Sequence, residues 1–142
     1  MMDSEFSGSV VVVTGGASGI GRAIAAAFAE KGSRVAVMDV RNGETAALLD
    51  ALPGEGHLCV TGDVGVEEDV RFFAEKVLAH FGHVDILVNN ACITRRGILS
   101  GCSYEEFNEV LRVGVSGPYL LSLLFRDYFS RGASIVNIAS SR

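Results

Sequence analysis

The chain has 142 residues, 49% of them hydrophobic and 20% charged, and carries a net charge of -5 from 12 basic and 17 acidic residues. That length suits one domain, the composition excludes a disordered or low-complexity chain, and an acidic balance without runs of like charge leaves no footprint for nucleic acid or an anionic membrane. No apolar run approaches the roughly 18 residues of a membrane span, and the start Met1-Met2-Asp3-Ser4-Glu5 has neither the basic nor the apolar region of a signal peptide, so a cytoplasmic location is expected. Cys59, Cys92 and Cys102, an odd number without a C-x-x-C pair, read as reduced thiols rather than as a disulfide framework or a zinc site.

Taken in chain order, the first element is the β-branched run Ser9 to Thr14, which suits a parallel strand covered on both faces. The glycine loop Gly15 to Gly21 follows. After it comes a helix of small residues with Ile24, Ala27, Phe28 and Lys31 on one stripe, stopped at Gly32. Arg34 to Val40 reads as a second strand, Gly43 to Leu52 as a helix halted by Pro53 and Gly54, and His57 to Val60 as a third strand. The strongest helical pattern runs from Val66 to Phe81, with Val70, Phe73, Ala74, Val77, Leu78 and Phe81 on one face and Glu67, Glu68 and Asp69 at the positive end. Asp85 to Asn90 is a fourth strand. Ser103 to Phe129 reads as mostly helical with breaks at Gly114, Gly117 and Pro118, and Ser134 to Ala139 as a fifth strand.

Strands alternating with helices imply right-handed crossovers and a doubly wound parallel α/β sheet, most simply in the order 3-2-1-4-5, forming one domain over residues 1–142. An apolar fifth strand three residues before Arg142 would be left unpaired at the sheet edge, so the domain is expected to be incomplete at its C-terminus.

The loop Thr14-Gly15-x-x-x-Gly19-x-Gly21 follows a strand and opens a helix. Gly15 permits the turn, Gly19 lets backbone N–H groups approach a pyrophosphate, and Gly21 lets helix and strand pack closely. In isolation such glycines could serve only a turn. Asp39 closes the second strand 18 residues after Gly21, where a carboxylate can accept hydrogen bonds from an adenosine ribose. With Ser18 rather than a basic residue before Gly19, NAD is favoured over NADP, with Arg41 as the one cation nearby; a merely solvated acid at the strand end is the alternative for Asp39.

With these residues the sequence resembles the short-chain dehydrogenases/reductases of the T-G-x-x-x-G-x-G branch. Three further matches lie in order: Gly62-Asp63-Val64, Asn89-Asn90-Ala91 and Ile135-Val136-Asn137-Ile138-Ala139-Ser140. The resemblance covers the chain from about Val10 to its end. It implies that Gly15, Ser18, Gly19, Ile20, Gly21 and Asp39 hold NAD, that Asp63 contacts the adenine and Val64 lines its pocket, and that Asn90 and Ala91 pass beneath the cofactor ribose. It also implies an alcohol or carbonyl substrate and Ser140 as the serine that orients it, although Ser141 leaves that register open by one. Asn89 has the plainer use of holding neighbouring loops together.

Two departures qualify the resemblance. Gly114 stands where the family carries a catalytic asparagine, and no tyrosine among Tyr104, Tyr119 and Tyr128 is followed by lysine four positions on, so the family's Tyr-x-x-x-Lys acid/base pair is not in these residues. The leading expectation is the cofactor-binding part of an NAD-dependent oxidoreductase, inactive as it stands. The alternative is a non-catalytic nucleotide-binding or interaction protein derived from such an enzyme, and a methyltransferase with a glycine loop is a remote third. Cys92, in place of the usual glycine after Asn-Asn-Ala, reads as a packed, inert thiol, with a reactive thiol close to the cofactor as the alternative, and His80 and His83 as a helix-end cation and a turn residue rather than metal ligands. The helix from Tyr119 to Tyr128, with Leu120, Leu121, Leu124, Phe125 and Tyr128 at helical spacing, is expected to serve the core or a homo-oligomer interface.

Overall fold

The structure is a computed structural model, and it describes residues 4–95 and 101–140. Five parallel strands, β1 (Val10–Thr14), β2 (Arg34–Asp39), β3 (Leu58–Thr61), β4 (Val84–Asn89) and β5 (Phe129–Asn137), form one sheet in the order β3-β2-β1-β4-β5. This is the doubly wound order expected from the sequence. The connecting helices are α1 (Gly19–Glu30), α2 (Asn42–Ala51), α3 (Glu67–Phe81), α4 (Tyr104–Leu111) and α5 (Gly117–Phe125), with a π-helical turn at Arg112–Ser116 joining the last two.

The β-branched β1 is central because both its faces are covered. Val10 and Val12 point into a core shared with Phe73 and Val77 of α3 and Leu121 and Phe125 of α5, while Val11 and Val13 face Ala25 and Ala29 of α1 and Leu48 of α2. Period-two alternation along one strand thereby feeds two separate hydrophobic layers. On α1 the buried positions are Gly21, Ala25 and Ala29, and Ala27 is exposed, so the stripe lies one residue round from the expected one. The reason is steric. Small side chains bring the helix axis close to the sheet, and the larger Ile24 and Phe28 pack along the flank.

The C-terminal third departs most from the sequence expectation. The helix stops at Phe125, a 3-10 turn covers Arg126–Tyr128, and β5 starts at Phe129, five residues earlier than its apolar run suggests. Val84 pairs with Phe129 but Ile86 pairs with Ser134, so Asp85 alone faces the four residues Ser130 to Ala133. Asp85 fills the gap this creates. Its carboxylate accepts the N–H of Val10 at 2.7 Å and the hydroxyl of Ser130, and His83 Nε2 lies 3.1 Å away. One acid thus joins β1, β4 and β5 where the ladder between β1 and β4, which begins at Val11 and Ile86, leaves Val10 unpaired. β5 itself lies at the sheet edge with Ile135 and Val136 exposed, and no helix among the described residues is long and apolar enough to cross a membrane.

Partial burial pushes the Asp85 carboxyl up, but the hydrogen bonds from Ser130 and Val10 and the adjacent His83 outweigh it and hold the carboxyl below the usual carboxylate range. A depressed folded-state value means a stabilising contribution that is complete above the unfolded value of about 3.9 and is lost as pH falls through the folded one. Asp85→Ala strands the buried Val10 N–H, and is expected to destabilise the fold by about 1–3 kcal/mol near neutrality. Thermal unfolding followed by circular dichroism should show this deficit shrinking as pH falls below about 4.

Candidate functional site

The carboxyl ends of the strands open into a cavity of about 640 Å3 lined by Gly15, Ser18, Gly19 and Ile20 of the first loop, Asp39 to Arg41 after β2, Asp63 and Val64 after β3, and Asn90 to Ile93 after β4. Open parallel sheets bind ligands at this edge, and the size lies within the range of small-molecule sites. The structure therefore brings nine of the eleven sequence-predicted positions together as lining, from four separate loops. Gly21 stands behind the lining, and Ser140, exposed three residues past the end of β5, is not part of it. Ser141, the alternative register, lies outside the described residues.

The first loop is held from beneath. Asn90 Nδ2 donates to the carbonyls of Thr14 and Gly15, both at 3.1 Å, and the N–H groups of Asn90 and Ala91 donate to Thr14 Oγ1. Gly21 sits against this junction so closely that a Cβ there would lie 2.2 Å from the Gly15 carbonyl oxygen and 2.4 Å from Asn90 Nδ2. Gly19 has a different requirement, a φ of +54° with open space where its Cβ would point.

The start of α1 is electrostatically unfilled. Its N-cap, Ser18, makes no side-chain capping bond and the first turn holds no acid, whereas α3 carries Glu67, Glu68 and Asp69 there and α4 has a complete capping box from Ser103 and Glu106. Bare N–H groups and the positive end of the helix dipole thus face the cavity, an arrangement that suits an anion.

Asp39 is buried, 7% exposed, and both its oxygens are engaged: Ala17 N–H donates to one at 3.0 Å and Arg41 N–H to the other at 3.1 Å. Each carboxylate oxygen keeps a second acceptor site, so the acid can hold the glycine loop and still receive a hydroxyl from the cavity. Its reading as a merely solvated strand-end acid is corrected by that burial. Among the described residues no group of His, Cys, Asp and Glu is arranged to hold a metal.

Several lining residues carry no motif and were not legible as site residues: Met38, Val40, Ile93, Glu109 and Val113. Glu109 on α4 pairs with Arg95 from the segment after β4. Cys92 is exposed and lines the cavity, so the expectation of a packed thiol is corrected: the segment after Ala91 runs along the cavity wall. Cys59, by contrast, faces the second core layer, and burial pushes its thiol up to about 11, which makes it a poor nucleophile. Gly114 lies exposed in the π-helical turn with nothing within 4 Å of where a Cβ would be, so packing does not require glycine there.

Comparison with known proteins places this geometry. The profile of the short chain dehydrogenase family matches residues 9–142. An uncharacterized oxidoreductase of Thermotoga maritima is 39% identical over 141 residues, covering 96% of this chain and 55% of that protein. The D-threitol dehydrogenase of Mycolicibacterium smegmatis is 37% identical over 142 residues, covering 97% and 55%. The crystal structure of L-sorbose reductase from Gluconobacter frateurii, complexed with NADPH and L-sorbose, superposes with a TM-score of 0.92 at 31% identity, covering 99% of this chain and 55% of that one. The chain spans about half the length of these relatives. A profile match over nearly the whole chain establishes that the protein belongs to the short chain dehydrogenase family.

Proposed function

We propose that the chain binds NAD and forms the cofactor-binding part of an oxidoreductase acting on an alcohol or carbonyl substrate. The observation that carries this reading is the uncapped, acid-free start of α1 facing a cavity that the buried Asp39 also lines. Pyrophosphate fits the first and an adenosine ribose the second. On this reading Asp39, Asp63 and Val64 at the ends of β2 and β3 would hold the adenosine half, and Asn90, Ala91 and Cys92 after β4 would lie beside the nicotinamide half. A bound nicotinamide would supply the hydride chemistry. What this chain's residues do is grip the phosphates, orient the ribose and bury one face of the ligand.

NAD is preferred here over NADP because a 2′-phosphate would be forced against the Asp39 carboxylate, although related structures include complexes with NADPH and with NAD. Arg41 borders the same cavity. Asp39→Ser is therefore expected to weaken NADH and to narrow or invert the preference over NADPH, read by fluorescence titration of both cofactors.

A second reading, a nucleotide-binding protein without catalysis, is favoured by Gly114, which stands where the family carries a catalytic asparagine. Turnover of a carbonyl panel with NADH by this chain alone excludes it.

The test of the cofactor reading is Ile20→Glu, which places an acid in the first turn of α1 at a side chain 65% exposed. The unliganded protein should gain about 0.3–1 kcal/mol from the helix dipole. NADH affinity should fall about tenfold through repulsion of the phosphates. Opposite signs for stability and binding separate a phosphate site from a general disturbance; equal NADH affinity in both proteins would contradict the reading.

The helical stretch also presents an interface. Leu121 and Phe125 are core residues, while Tyr104, Phe107, Leu111, Val115, Tyr119 and Leu123 lie exposed at spacings of three and four along α4, the π-helical turn and α5. Such a stripe fits a second copy of the chain. Val115→Glu with Leu123→Glu is expected to lower the sedimentation mass without loss of NADH binding.

A further inference from the structure

We propose that Asp69 is a positioning residue for the adenosine end of the cavity, acting through the backbone of Asp63; this rests on the dinucleotide reading above. In the sequence Asp69 is one of three like acids at the start of α3. In the structure the three part company. Glu67 is exposed and pairs with Arg71, and Glu68 is exposed. Asp69 turns inward, past the N-cap Val66, and its Oδ2 accepts the N–H of Asp63 at 2.8 Å.

That contact completes a closed set of restraints on the turn between β3 and α3. The Asp63 carbonyl accepts the N–H of Val66 at 3.0 Å, and the Asp63 Oδ1 accepts the N–H of Gly65 at 2.7 Å. One residue earlier, the N–H of Gly62 donates to the carbonyl of Asp39 at 2.9 Å. Gly62, Asp63 and Val64 all border the cavity, on the side of the sheet where β2 and β3 end. Asp69 itself does not border it. Without the Asp69 acceptor, the N–H of Asp63 loses its partner and the turn is left with fewer restraints, those from Gly62, Gly65 and Val66. A site that must order this segment on binding has a lower affinity than one in which it is already fixed. The effect should fall on the adenosine half alone, because the pyrophosphate and nicotinamide halves rest on loops that Asp69 does not touch.

The experiment uses the full 142-residue chain, with NADH and AMP as probes and the thermal midpoint recorded alongside. Asp69→Ala is expected to weaken NADH and AMP by the same factor, up to about tenfold, the size of the cost of ordering one such segment on binding. Asp69→Asn, whose amide oxygen still accepts, should recover most of that affinity. Asp69→Glu keeps the charge at the helix start but displaces the acceptor; it should show the same paired loss, and it serves where the alanine variant does not fold. Unchanged NADH and AMP binding in a folded Asp69→Ala or Asp69→Glu overturns the proposal, as does a loss of NADH with AMP unaffected, which would mark a general structural role. Failure of the unaltered chain to bind either NADH or AMP would instead overturn the dinucleotide reading, and this proposal with it.

Discussion

Three loops that belong to different crossovers meet at Asp39. Its carboxylate receives the backbone of the glycine loop through Ala17 and that of the next loop through Arg41, and its carbonyl receives Gly62 from the third. Removing this residue from water is unfavourable for a carboxylate unless hydrogen bonds replace the solvent, and the backbone N–H groups do so. The binding loops are therefore fixed relative to one another before any ligand arrives. A cavity assembled from separate loops keeps its shape because one buried acid spans them.

The glycine loop is secured from the other side by Thr14 and Asn90, so the segment with the least intrinsic order has anchors on both flanks. This explains a division within the family resemblance. The amide of Asn90 fastens the β1 exit to the β4 exit, and Asn90 and Ala91 both border the cavity. Gly21 belongs to the same construction, filling a gap too narrow for any side chain.

Much of this was legible in the sequence because the signals are local and physical. Four valines in a row cannot be half exposed, a glycine loop between strand and helix has few uses, and an acid at the end of the next strand narrows them further. The parts that were not legible depend on distant contacts. The start of β5 is set by the gap around Asp85, which no periodicity in Phe129 to Ala133 announces. The facing of α1 follows from how near small side chains let it approach the sheet, and Ala25 and Ala29 look no different from Ala27 in one dimension. Asp69 resembles Glu67 and Glu68 until the turn before it folds back, and Glu109 becomes a cavity residue only when the loop after β4 and helix α4 converge.

The pairing of Asn89 with Asn137 has a consequence for the outermost strand. Asn89 Nδ2 donates to Asn137 Oδ1 at 2.9 Å, and Asn89 Oδ1 is left buried with no hydrogen-bond partner among the described residues. An edge strand with slack stored in a bulge could slide along its neighbour at small loss of backbone bonding, since every shifted ladder has the same donors and acceptors. Shifting by one residue would turn Asn137 to the opposite face and leave the buried Asn89 amide nitrogen, like its oxygen, without this partner. A polar pair that contributes little net stability therefore acts as a key for alignment: it makes one registration of β5 acceptable and penalises its neighbours.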